Sequence, residues 1–232
     1  MNKALLLWLF LPILSFAQSQ GSEGKLRFGI FVQPESNRVQ LSQHLHPNSS
    51  QSEWTLGFNI GGMIQLRLAK NLYFRTALAS GERAYLFSEI VDNDSNPLEQ
   101  ALLHSHKYTL ETFDINLGLA YDFISFDKLV MGFSTGIGYQ VYENLSSQRI
   151  LMVSTSQEIL AVEEVSGKTP EGNYSMTAFA SINMAYSLGK NVRLFFEPMY
   201  SFNMQPLQLE GLKGNRFQNL AFLLGIRLDV GQ

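Results

Sequence analysis

From Trp54 to Ala69 the chain reads WTLGFNIGGMIQLRLA, and alternate positions separate into two kinds of surface. Trp54, Leu56, Phe58, Ile60, Ile64, Leu66 and Leu68 fall on one side. Thr55, Gly57, Asn59, Gly61, Gln65 and Arg67 fall on the other. A period of two is the signature of a strand with two unlike faces, and an α-helix cannot display it. This run is too long for an ordinary half-buried strand of five or six residues or so.

The same alternation recurs along the chain, giving eight runs: Lys25 to Gln33, Trp54 to Ala69, Leu72 to Phe87, Tyr108 to Phe123, Lys128 to Tyr142, Tyr174 to Leu188, Val192 to Phe202 and Phe217 to Val230. Connections after the second, fourth and sixth runs are only a few residues, such as Lys70-Asn71. Those after the first, third, fifth and seventh are long and polar: Pro34 to Glu53, Ser88 to Lys107, Glu143 to Asn173 and Asn203 to Arg216. An even number of strands, with short turns at one end and long loops at the other, is the layout of an antiparallel up-and-down transmembrane β-barrel. The fold class expected is therefore all-β, an eight-stranded barrel with both termini on the short-turn, periplasmic side. The segment RILMVSTSQEILAVEEV, from Arg149, leaves ten strands as the alternative. Its two pieces look too short to span, since a spanning strand needs roughly 9–11 residues, and the reading preferred is a hairpin above the membrane.

The N-terminus reads MNKALLLWLFLPILSFAQ: a lysine, an apolar run and a small-residue end at Ala17. These are the parts of a secretory signal peptide over residues 1–17, leaving 18–232 as the barrel domain. The chain has no cysteine, which excludes disulfides and thiolate metal sites. A formal net charge of -3 without a basic stripe gives no reason to propose nucleic acid as a partner.

A soluble lipocalin-like barrel alternates in the same way, with its apolar face turned inward. Three features favour lipid outside. The second face is small and polar, rich in glycine, serine and asparagine but poor in lysine and glutamate, which suits a narrow lumen better than bulk water. The apolar face persists along every run. Aromatic residues gather near run ends, at Trp54, Phe87, Tyr121, Phe123, Tyr142, Tyr174, Tyr186, Tyr200 and Phe202, as the interfacial girdles of membrane barrels do. Parity then sends Arg27, Arg67, Arg75, Arg193, Arg227, Asp114, Asp122, Glu197 and Asp229 into the lumen. Buried charges must be paired, so a plugged, non-conducting lumen is expected.

All four histidines fall in the presumed outer loops, as His44/His46 and His104/His106. Residues i and i+2 of an extended chain point the same way, so each pair could chelate a transition metal. Solvated loop residues are the simpler reading, and no metal site or cofactor is assigned. Ser42, Ser88 and Ser105 lie near these histidines without a nucleophile-elbow motif, so no catalytic residues are assigned either.

Three pieces resemble the PorT-like outer-membrane β-barrel family of Bacteroidota: the signal end SFAQ, the strand ETFDINLGLAYDF and the strand LFFEPMYSF with Glu197-Pro198 before Tyr200. The resemblance implies a cell outer-membrane barrel of about this size and does not extend to a secretion pathway. The function expected is a structural or interaction role through the extracellular loops. The partners expected are outer-membrane lipid and another envelope protein. Alternatives are a rim-loop enzyme acting on lipid or peptide, and a soluble carrier of an apolar ligand.

Overall fold

A computed structural model describes residues 26–40, 49–91, 102–126, 128–153, 159–168, 174–189, 191–206 and 214–230. The strands are β1 (Leu26–Gln40), β2 (Ser49–Glu53), β3 (Thr55–Ala69), β4 (Leu72–Val91), β5 (Leu102–Ser125), β6 (Leu129–Val153), β7 (Ile159–Lys168), β8 (Tyr174–Ser187), β9 (Val192–Asn203) and β10 (Arg216–Val230). The signal peptide expected over residues 1–17, together with His44, His46 and Ser42, lies outside the described residues.

Hydrogen bonding runs β4-β3-β1-β10-β9-β8-β6-β5, and β4 pairs with β5 to close the ring. The barrel has eight strands, all antiparallel to their neighbours. β2 is the upper end of β3, separated from it by Trp54 and paired with β4. β7 pairs with β6 and with no other strand among the described residues. The Arg149 to Val165 segment is thus a hairpin growing out of β6, and the ten-strand alternative falls away.

Closure puts β1 between β3 and β10 with registers Arg27↔Gln65 and Arg27↔Asp229. The short turns lie at one end and are stitched to neighbouring strands by backbone bonds, including Asp122 N–H to Asn71 C=O and Asp229 N–H to Asn191 C=O, 2.9 and 2.8 Å. The parity read from the sequence holds throughout. Leu56 is 82% exposed and Asn59 is fully buried, three positions away. Outward side chains form an apolar belt from Leu129, Phe133 and Ile137 on β6 to Leu220, Leu224 and Leu228 on β10. Soluble monomers rarely expose a contiguous apolar surface of this size, which marks a membrane-facing wall.

Several strands continue far beyond that belt. β5 has 24 residues; at about 3.3 Å per residue and a tilt of about 40° it rises roughly 60 Å, more than twice the roughly 25 Å of an apolar band. On its outer face the belt ends at Phe113. Exposed Glu111, opposite exposed Glu82 on β4, marks the far side. The segments read as long loops are therefore partly strand: β1 runs on to Gln40, β4 to Val91, and β5 starts at Leu102. Pro34 does not end β1. It sits on the outer face, and its missing N–H merely interrupts the β10 ladder between Val32 and Glu35.

Inside, small residues leave room for large ones. A side chain at Gly61 would meet the Phe31 ring and the Leu78 carbonyl, and one at Gly225 would meet the Phe195 ring and the Ile30 carbonyl. Phe31, Phe179, Phe195, Met63, Met199 and Leu223 fill the space so created. The alternation of glycine and aromatic residues on the lumen face is how so narrow a barrel is filled without voids.

Candidate functional site

The lumen is best followed along the inward face of β4, which passes Tyr73, Arg75, Ala77, Ala79, Arg83, Tyr85 and Phe87 from the periplasmic to the outer end. Three ion clusters lie at successive levels. At the periplasmic level Arg27 donates to Asp122 at 2.9 Å and to the Tyr73 hydroxyl at 2.8 Å, with its guanidinium 3.7 Å from the Tyr73 ring centre. Asp229 forms ion pairs with Arg193 at 2.9 Å, Arg227 at 3.3 Å and Arg27 at 3.8 Å. In the middle Arg75 pairs with Glu197 and donates to the Ser134 hydroxyl at 3.1 Å, while Ser181 donates to Glu197 at 2.5 Å. At the outer level Arg83 bridges Glu35 and Asp114, each at 2.5 Å, and Gln33 donates to Glu35 at 2.9 Å.

Above Arg83 the lumen is closed by an apolar cap of Val39, Tyr85, Phe87, Tyr108, Leu110, Tyr142 and Phe217. Tyr85 stacks on Phe217 at 3.6 Å, and Tyr142 meets the edge of the same ring at 6.2 Å. The polar ends of these rings are satisfied: Tyr85 donates to Asn219 at 3.3 Å, and Tyr142 shares a hydrogen bond with Ser175 at 2.7 Å.

Most lumen charges named from parity are therefore brought together, with two classes of correction. Arg67 lies at the rim, where it donates to the Ala69 carbonyl at 3.1 Å and joins no ion cluster among the described residues. Its register, one step from the turn, leaves it next to water. Phe87 and Tyr142, expected in the aromatic girdle, are 1% and 3% exposed and belong to the cap. They share the lumen parity of Arg83 and Gln140, which position near a strand end had obscured. The other seven girdle residues are exposed on the outer face. Sequence reasoning missed Glu35 and Arg83, although both keep inward parity. Glu35 stands beyond Pro34, where the sequence pattern predicts the end of the first strand.

Beyond the lipid belt the upper parts of β2, β4, β5, β6 and β7 form one continuous sheet on one side of the barrel mouth. On its lumen-side face a row crosses four strands at Phe87, His106, Arg149 and Glu163. The His106, Phe87 and Tyr108 rings lie nearly parallel in one cluster, with centroids 4.9 Å apart for His106 and Phe87, 6.4 Å for His106 and Tyr108 and 5.8 Å for Phe87 and Tyr108. A polar recess of about 110 Å³ is lined by His106, Tyr108, Ser147, Gln148, Arg149 and Glu163. His104 and His106 are strand residues of β5, and among the described residues no three His, Cys, Asp or Glu side chains are placed to hold a metal. Ser105 and His106 are adjacent in β5 and so face opposite sides of the sheet. Ser105 approaches Ser88 at 3.3 Å.

The outer wall carries one further feature. Gly62 leaves a dent of about 500 Å³ in the lipid-facing belt, bounded by Phe28, Ile30, Ile64, Leu78, Ile226 and Leu228.

Residues 16–209 match the family described as outer membrane protein beta-barrel domain. No curated protein sequence matches the chain significantly. Among solved structures the chain is similar to Neisserial surface protein A, with 11% identity over 87% of this chain and 96% of that one and a TM-score of 0.44. It is similar to OprG from Pseudomonas aeruginosa, with 10% identity over 93% and 99% and a TM-score of 0.45. It is also similar to Ail, the attachment invasion locus protein of Yersinia pestis, with 11% identity over 89% and 100% and a TM-score of 0.41.

Proposed function

The chain belongs to the outer membrane protein β-barrel domain family, and from that premise we propose that it is an interaction protein whose working surface is the sheet standing above the outer leaflet. The barrel is a cell outer-membrane protein, and its apolar belt is solvated by lipid. The observation that carries the proposal is the free edge of β7. Strand β7 bonds to β6 alone among the described residues, so its second edge offers unpaired N–H and C=O groups to an incoming strand. Ile159 and Val162 are more than half exposed beside it. The hairpin is held upright by cross-strand bonds, including Gln148 to Glu164 at 2.8 Å.

The partner is another envelope protein contributing an extended segment. Glu163 and Glu164, both exposed, select a segment with lysine or arginine opposite them and disfavour pairing between two copies of β7. The sealed lumen supports the same reading, because three ion clusters and an aromatic cap leave conduction no route. We read the chain as a PorT-like member of a Bacteroidota outer membrane, exported by a signal peptide over residues 1–17. The support is the SFAQ end and the ETFDINLGLAYDF and LFFEPMYSF strands.

A photo-crosslinking residue placed at Val162 or Glu164 in living cells tests the proposal. It is expected to capture one defined envelope protein, whereas the same residue at Arg38, exposed near the outer end of β1 across the ring from β6, captures none. Equal capture from both positions, or none from β7, overturns it.

A further inference from the structure

We propose that the periplasmic mouth of the lumen is a binding site for a small oxyanion of the phosphate class, held by Arg193 and Arg227. The charges at the two ends of the lumen do not balance. The outer cluster has one guanidinium, Arg83, for two carboxylates, Glu35 and Asp114. The periplasmic cluster has three guanidiniums, Arg27, Arg193 and Arg227, for two carboxylates, Asp122 and Asp229. The two excesses are not equivalent chemically. A surplus carboxylate can discard its charge by taking a proton, whereas a guanidinium cannot lose its own. The surplus positive charge at the periplasmic end therefore needs a counter-anion.

The geometry says where that anion sits. Arg193 and Arg227 are directly opposite each other on β9 and β10, a like-charge juxtaposition that is unfavourable unless an anion joins them. Asp229 lies 2.9 Å from Nε of Arg193 and 3.3 Å from Nε of Arg227, the second an ion pair without a hydrogen bond. Nη1 of Arg193 and Nη2 of Arg227 have no acceptor among the described residues, and both atoms are out of contact with solvent. Arg227 as a whole is 3% exposed. Two buried, unsatisfied guanidinium donors at adjacent positions match an oxyanion, which accepts several charge-assisted hydrogen bonds at once. Arg193 retains 16% exposure of its side chain, which gives an anion a way in from the periplasm. Arg67 at the same rim adds a further positive charge along that approach.

Titration calorimetry with inorganic phosphate, at constant ionic strength on the detergent-folded protein, tests the site. Saturable one-to-one binding is expected. Arg193→Gln and Arg227→Gln should each weaken it tenfold or more, and Arg216→Gln, at the outer end of β10, should leave it unchanged. Because Arg227 is deeply buried its variant is at risk of misfolding; Arg193→Gln, at a partly exposed position, carries the test alone in that case. Repeating the titration in micelles doped with phosphatidylglycerol identifies the source: competition assigns the site to a lipid headgroup, and unchanged affinity to free phosphate. Absence of saturable binding, or equal binding by wild type and both arginine variants, overturns the proposal.

Discussion

Arg75 on β4 and Glu197 on β9 form an ion pair across the lumen although they are 122 positions apart in the chain, and each side chain is only 2% exposed. Neither charge has water to fall back on. Glu197→Gln leaves the Arg75 guanidinium buried without a counter-charge and is expected to cost about 3–5 kcal/mol. Replacing both residues with methionine should recover most of that loss, because the desolvation cost of both charges disappears together. Urea unfolding of the detergent-folded barrel, followed by heat-modifiable gel mobility, measures both variants.

Adjacent glycines should respond in opposite ways to the same substitution. A Cβ at Gly61 meets the Phe31 ring and the Leu78 carbonyl, whereas a Cβ at Gly62 has only the Gly29 carbonyl, at 3.5 Å. Gly61→Ala is expected to destabilise by about 1–3 kcal/mol through overpacking. Gly62→Ala, in the open dent of the outer wall, should be neutral or stabilising, since it removes unfolded-state freedom without a clash. The same unfolding assay separates them.

The lipid belt makes a depth-dependent prediction. Leu117 lies midway along the exposed apolar face of β5, and Leu117→Arg should cost about 2–4 kcal/mol in a bilayer. Ser36→Arg, on the outer face of β1 level with the belt's upper rim, should cost about 1 kcal/mol or less. Refolding titrations into phosphatidylcholine vesicles read the difference. A paired test uses Phe58→Cys and Asn59→Cys: a lipid-soluble maleimide should modify the first and not the second.

The lumen should not conduct. Wild-type protein in planar bilayers is expected to show no stable current steps. Phe217→Ala removes the ring on which Tyr85 and Tyr142 pack, yet it should still leave the barrel closed, because the Arg83 and Arg75 clusters lie beneath. Steady conductance in either protein would contradict the stacked-plug reading.

The alternation from Trp54 to Ala69 was enough to assign strand, and its repetition with unequal connections was enough to count eight strands and turn the greasy face toward lipid. These are local properties: in an extended chain each side chain's direction follows from its neighbour's. They also placed Arg75 and Glu197 inside the barrel without a view of either one's partner. Which charges meet depends on the shear and closure of the whole barrel, so only the folded ring brought Glu35 to Arg83 and assembled three guanidiniums around Asp229. The same holds for Phe87 and Tyr142. Their aromatic character fits a girdle or a plug equally well, and the cap emerged only when Phe217 arrived from the last strand to stack against Tyr85. That β7 bonds to β6 alone among the described residues was likewise decided by tertiary pairing, because an apolar run does not state which neighbour its backbone will bond to.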